Sequence, residues 1–217
     1  MAAELACLVD PFAYVSHLSA IEHYGLTDRF PAVLYLSTPP NAEWRALATN
    51  RMQSDLGDAF EPYLNSGFPQ LRNIGITKID RTTVHILRRT NRGAFKTISE
   101  NTLRVATVGR TFLDMLREPH LCGGIQHVID IYRDSAKDYL RLIVDEFDAH
   151  GSAIDKVRAG YLLTEICHLE SEAFRSWEAF AQRGGSRKLD AEADYSEAFS
   201  EKWKLSINVP SLLNTLQ

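Results

Sequence analysis

The chain has 217 residues, enough to bury a full hydrophobic core in one domain or two small lobes. Its 45% hydrophobic and 24% charged residues exclude a disordered or low-complexity protein, and no apolar run approaches the roughly 20 residues that cross a bilayer. The net charge of −4 is uneven, because residues 71–110 hold nine basic and two acidic side chains, a local +7 that leaves −11 for the rest. This split predicts one basic face and one acidic face.

An apolar run at 5–9 ends at Pro11, and with Glu4 and no basic leader it does not read as a signal peptide. A helix is predicted over 17–24. Ser16 is its candidate N-cap, offering a hydroxyl to an orphan backbone N–H, and Gly25 follows its end. Leu18, Ile21 and Tyr24 give it one apolar face. Residues 33–37 predict a strand ended by Pro39 and Pro40. Asn41 is the candidate cap of a helix over 41–56, with Trp44, Leu47 and Met52 as apolar contacts and Gly57 beyond it. The basic section has strand character: 71–79 alternates in part, and 82–89 is rich in β-branched residues, with Val84, Ile86 and Arg88 on one face. A turn at 91–93 and a returning strand at 94–98 make this a strand-turn-strand. Another strand at 103–107 runs into a helix over 110–117, stopped by Pro119.

Residues 125–183 read as four short helices, each dependent on tertiary packing. Their stripes are Ile125, Val128, Ile129 and Tyr132; Leu140, Ile143, Val144 and Phe147; Ile154, Val157, Tyr161, Leu162 and Ile166; and Phe174, Trp177 and Phe180, up to Gly184 and Gly185. Ser152 caps the third, with Asp155 in its first turn. Trp203, Leu205 and Ile207 alternate as a late strand before Pro210. The expectation is an α+β fold: a mixed-strand α/β lobe over 1–118, then a mainly helical lobe over 119–217 with a late returning strand, or one continuous domain.

Complete catalytic sets are missing from the sequence. It has no G-x-S-x-G elbow, no phosphate loop and no G-x-G-x-x-G. Gly151 and Ser152 precede Asp155, but no second aspartate follows two positions on, as a magnesium-dependent nucleotidyltransferase requires. Asp145, Glu146 and Asp148 cluster as candidates for a metal-dependent nuclease, against the plainer reading of a solvated acidic helix end. His17 and His23 read as packing or capping residues. Cys7, Cys122 and Cys167 are scattered, which predicts reduced thiols in a cytoplasmic protein, and their histidine neighbours lack zinc-site pairing. Neither a cofactor nor a metal is expected. The candidate binding residues are Arg81, Arg88, Arg89, Arg92 and Lys96 around the strand-turn-strand, with Phe68 and Phe95 near them in sequence. Such a ribbon suits an acidic partner protein or, as the second reading, the phosphates of nucleic acid. The acidic balance of the whole chain favours the partner protein.

A set of short motifs recurs in order along the chain: Tyr14-Val15-Ser16-His17-Leu18-Ser19-Ala20 before Gly25-Leu26, then Arg110-Thr111-x-Leu113-Asp114 after a strand, then Pro119 and Cys122-Gly123-Gly124. Arg158-x-Gly160-Tyr161-Leu162-Leu163 and Trp203-x-Leu205-x-Ile207-Asn208-Val209 complete it. The set resembles the C-terminal domain of the AbiEi-type antitoxins of bacterial toxin–antitoxin systems. The resemblance implies a non-enzymatic, abortive-infection-like antitoxin that opposes a nucleotidyltransferase-type toxin. The winged helix-turn-helix that such proteins usually carry is not found in these residues, so the antitoxin role is what the resemblance leaves.

Taken as side chains, the motif residues read as scaffold. Arg110 and Asp114 are one turn apart, suiting a helix ion pair or an anchor. Gly123 and Gly124 permit a sharp turn. Gly160 inside a helix costs about 1 kcal/mol relative to alanine, which predicts a close helix crossing. Ser16, His17, Ser19, Thr111 and Arg158 are assigned to the same structural role.

Overall fold

The computed structural model describes residues 2–90, 93–98, 102–182 and 187–213. The chain opens with α1 (Ala2–Val9), β1 (Tyr14–Val15), α2 (His17–His23), β2 (Val33–Thr38), α3 (Asn41–Leu56) and α4 (Phe60–Asn65). Next come β3 (Lys78–Ile79), β4 (Thr82–Arg88), β5 (Phe95–Thr97), β6 (Arg104–Ala106) and α5 (Val108–Arg117). The remainder is α6 (Ile125–Ser135), α7 (Leu140–His150), α8 (Ala153–Tyr161), α9 (Glu172–Glu178), β7 (Phe199–Ser200), β8 (Leu205–Ser206) and α10 (Pro210–Leu213). With about 50% helix, 14% strand and a mixed sheet, the fold is α+β.

Two compact units divide the chain, and each is made of two separate segments. One holds Met1–Val15 and Pro31–Val105, the other Ser16–Phe30 and Ala106–Gln217. The boundary expected after residue 118 therefore falls after Val105, and α2 joins the C-terminal helices. The reason is a shared core. Ile21 of α2 is fully buried with Phe112 and Leu116 of α5 and Val128 of α6, and every residue from Val108 to Leu116 is buried.

The first unit is built on a six-stranded sheet of order β3-β4-β2-β1-β6-β5. β2 and β4 pair in parallel from Val33↔Thr83 to Thr38↔Arg88, while β1 is antiparallel to β2 and parallel to β6. A parallel neighbour needs a long crossover, and α3 and α4 lie in the connection from β2 to β4. Leu34, Leu36 and Val84 are buried, as are Trp44 and Ala48 of α3. Asp10 ties these parts together. Its carboxylate accepts from Trp44 Nε1 at 2.8 Å, Thr38 Oγ1 at 2.8 Å and the Phe12 amide at 3.0 Å. Arg104 of β6 donates to the carbonyls of Cys7, Asp10 and Ala13. A buried carboxylate is tolerable because its lone pairs are so engaged.

Three sequence expectations change in this unit. The returning strand at 94–98 is β5, but it does not pair back on β4. It lies on the opposite edge of the sheet, beyond β2, β1 and β6. Asn41 is the first residue of α3 and not its cap; Pro40 holds that position, and no side chain caps the helix. The alternation at 71–79 yields strand only at Lys78–Ile79.

In the second unit α5 packs against α7 at close range, because a Cβ on Gly109 would sit 2.2 Å from the Leu142 carbonyl oxygen. The predicted cap of α8 is a full capping box between Ser152 and Asp155. α8 then continues as a π-helical turn, Leu162–Ile166. Gly160 does not mark a helix crossing. It makes room for the fully buried Trp203 ring, whose Cη2 would lie 2.1 Å from an added Cβ. The late strand, β8, pairs antiparallel with β7 in a separate two-stranded sheet and does not rejoin the large one.

Candidate functional site

The structure spreads the basic candidates around the first unit. Arg81 is exposed in the tight β3–β4 turn, where Asp80 adopts φ 51°. Arg88 is exposed at the far end of β4, roughly 24 Å from Arg81 at about 3.4 Å per residue. Arg89 follows it half-buried, its amide donating to the Thr38 carbonyl at 2.9 Å. Lys96 is exposed on β5. Four strand spacings of about 4.8 Å separate β4 from β5, roughly 19 Å. Arg92, and with it the turn expected at 91–93, lies outside the described residues. Arg88 and Arg89 are therefore the pair brought together, and the expected ribbon is not formed. Phe95 stacks on Tyr14 with ring centroids 5.0 Å apart, while Phe68 is exposed and leans on Tyr63.

The motif residues behave differently: apart from Tyr14 and Val15, which fall in the first unit, they lie in the second, and the polar ones among them meet one another and main chain. Ser16 sits at the N-cap of α2 but gives no cap bond; its hydroxyl lies 2.9 Å from His17 Nδ1. His17 Nε2 is 3.1 Å from the Glu118 carboxylate, and its φ of 52° is unusual for a residue with a side chain. Ser19 is buried beside them on α2. Thr107 caps α5 by accepting from the Arg110 amide, and Thr111 Oγ1 donates to the Thr107 carbonyl at 2.9 Å. Arg110 Nε donates to Asp114 at 2.8 Å with both side chains about 95% buried, and Glu146 stands 4.0 Å from the same guanidinium. The expected helix pair is thus present, but inside the core, where a partner cannot reach it without unfolding.

Gly123 (φ 90°) and Gly124 (φ 93°) turn the chain into α6. A Cβ at Gly123 would meet the His127 ring at 2.7 Å, and Arg29 Nη1 donates to the Gly123 carbonyl. Burial lowers the His127 pKa, with Arg29 adding to the effect, and Thr27 Oγ1 lies 2.9 Å from its Nε2. Arg158 Nε donates to the Lys188 carbonyl, and burial lowers its pKa. Burial also raises the Cys122 thiol well above its usual range, with Asp114 and Glu118 contributing. Each of these is a positioned, enclosed group.

The acidic trio does not converge. Asp145 is exposed beside Arg141, Glu146 turns inward to Arg110, and Asp148 accepts from Trp177 Nε1 at 2.6 Å. Among the described residues no three His, Cys, Asp or Glu side chains come together as metal ligands, and no helix is long and apolar enough to cross a membrane. The sequence reading missed two clefts along α3, lined by Leu8, Met52 and Leu71 among others. Their signal was faint: α3 buries only Trp44 and Ala48, and the apolar run Phe68, Leu71, Ile74 and Ile76 lacks strand partners. No protein-family model matches this chain, and no curated protein matches it.

Proposed function

We propose that this protein is a bacterial, cytoplasmic antitoxin that suppresses a nucleotidyltransferase-type toxin and carries no enzymatic activity of its own. The ordered motif set is the observation that carries this reading. Its support from the fold is that residues as distant in sequence as Ser16, Arg110, Gly123, Gly160 and Trp203 fall in one compact unit. Only Tyr14 and Val15, at the very start of the set, belong to the other unit. The exposed Arg81, Arg88 and Lys96 then serve as recognition charge toward an acidic toxin surface, raising the association rate more than the affinity.

The test is growth of a host expressing the nucleotidyltransferase-like protein encoded beside this gene, with and without this chain. Rescue is expected. Absence of rescue with soluble, folded protein refutes the antitoxin reading. The competing reading as a nucleic-acid-binding regulator draws on Arg88 and Arg89, and its mark is affinity that falls steeply with salt.

A further inference from the structure

Two clefts of about 520 and 540 Å³ lie side by side along α3 and share Met52, Gln70 and Leu71 in their walls. The first is mainly apolar, lined by Leu8, Pro11, Leu56, Tyr63 and Pro69. Beside it α1 presents Leu5, Leu8 and Val9 to solvent, with Leu8 58% exposed. Long, flexible apolar side chains left outside a core that has room for others mark an interaction surface. The second cleft is cationic: Arg45 and Arg72 line it without an acidic residue, and across both clefts Arg45, Arg51 and Arg72 face Asp55 alone.

Residues 69–73 also line the clefts. Residues 68–77 run without regular structure before β3, the edge strand of the sheet. The run is anchored at its start, where Tyr63 Oη donates to the Pro69 carbonyl and the Leu71 amide meets Met52 Sδ. It is anchored at its end by the Thr77 carbonyl, which accepts from the Val84 amide. Between these points the backbone groups of 72–76 make no hydrogen bond among the described residues. Asn73 Nδ2, in the wall of the cationic cleft, is buried and meets no acceptor among them.

We propose that these clefts hold an extended, acidic segment of a partner protein. Its apolar side chains fill the space under Leu8 and Tyr63, and its carboxylates meet Arg45 and Arg72. Its main chain hydrogen-bonds to the backbone groups of 72–76, which lie ahead of the edge strand β3 and make no hydrogen bond among the described residues. Asn73 Nδ2 gains a carbonyl or carboxylate acceptor. Neither cleft is lined by Arg81, Arg88 or Lys96, and the proposal goes beyond the antitoxin reading, since it specifies the segment that binds and not the identity of its owner.

The probe is a fluorescent ten-residue peptide alternating leucine or valine with glutamate, titrated onto the full chain and followed by anisotropy. Binding in the range of about 10–100 μM is expected, with a lysine-for-glutamate peptide at least about tenfold weaker. Leu8→Asp and Arg72→Glu each weaken the acidic peptide about tenfold at unchanged melting temperature. Arg141→Glu, a charge reversal at a 92% exposed side chain that lines neither cleft, leaves binding intact. The amides of 72–76 exchange more slowly with deuterium when the peptide is present. No binding at 1 mM peptide (about −4 kcal/mol or weaker), equal binding of the lysine peptide, or indifference to both variants overturns the proposal. So does preferential binding of single-stranded oligothymidylate that Arg72→Glu abolishes, which assigns the clefts to nucleic acid. None of these outcomes depends on growth rescue, so this proposal and the antitoxin reading fail separately.

Discussion

Gly160→Ala sets two known effects against each other in one position. In an exposed helix the change stabilises by about 1 kcal/mol, because alanine loses less backbone freedom. Here the new Cβ would stand 2.1 Å from Trp203 Cη2 and 2.3 Å from Cζ3. Ordinary contact begins near 3.4 Å, so the indole must retreat by about 1.3 Å. It has little freedom to do so. The ring is fully buried, and its Nε1 donates to Thr164 Oγ1 at 2.9 Å, while that hydroxyl in turn donates to the Gly160 carbonyl. Overpacking of this kind costs about 1–3 kcal/mol, and loss of the indole hydrogen bond adds about 1. The expected net effect is a destabilisation of about 1–3 kcal/mol, read from urea unfolding by circular dichroism. A smaller ring removes the clash, so in a Trp203→Phe background the same substitution should be neutral or stabilising. Equal or greater stability of Gly160→Ala in the parent, or the same cost in both backgrounds, would falsify the packing argument.

Asp10→Ala strips the acceptor from Trp44 Nε1 and Thr38 Oγ1, both in the interior of the first unit, and should cost about 2–4 kcal/mol in the same unfolding assay. A cost under about 0.5 kcal/mol would show that neither donor depends on it. At high pH the tyrosines take over. Burial pushes Tyr24 and Tyr161 up to about 12, against about 10 in an unfolded chain, so unfolding makes both easier to ionise. Their contribution is intact below pH 10 and is lost as the pH rises from 10 to 12. A pH series of melting temperatures should therefore fall across that window, and more gently in a Tyr24→Phe, Tyr161→Phe variant; parallel curves would remove the tyrosines as the cause.

Local chemistry was legible where one residue decided it. The Ser152 and Asp155 box was readable because both partners lie within four positions. The ends of α3 and β4 followed from Asn41, Gly57 and the β-branched run, and came within a residue of expectation. Ser16 holds the expected N-cap position, but its hydroxyl lies against the adjacent His17 ring and makes no cap bond, a choice invisible to position rules. The strain of Gly160 was legible, but its cause sits 43 residues downstream, on Trp203. The basic residues were counted correctly, yet their grouping depended on strand order. β5 lies at the edge away from β4 and stacks Phe95 on Tyr14, and long-range packing of that sort leaves no periodic trace.

The interruption of the second unit sets a timetable for its making. Within the second unit residues 16–30 leave the ribosome first, carrying Ile21, yet the α5 helix that packs with Ile21 is encoded after 75 intervening residues. At about 5–20 residues per second, α2 waits roughly 4–15 s with its apolar side uncovered while the first unit is completed. The sheet unit has every strand in hand at that moment, and the helical unit has none of its later helices. Birth order therefore makes the nascent α2 segment a point at which this protein is open to chaperones, proteases or premature pairing.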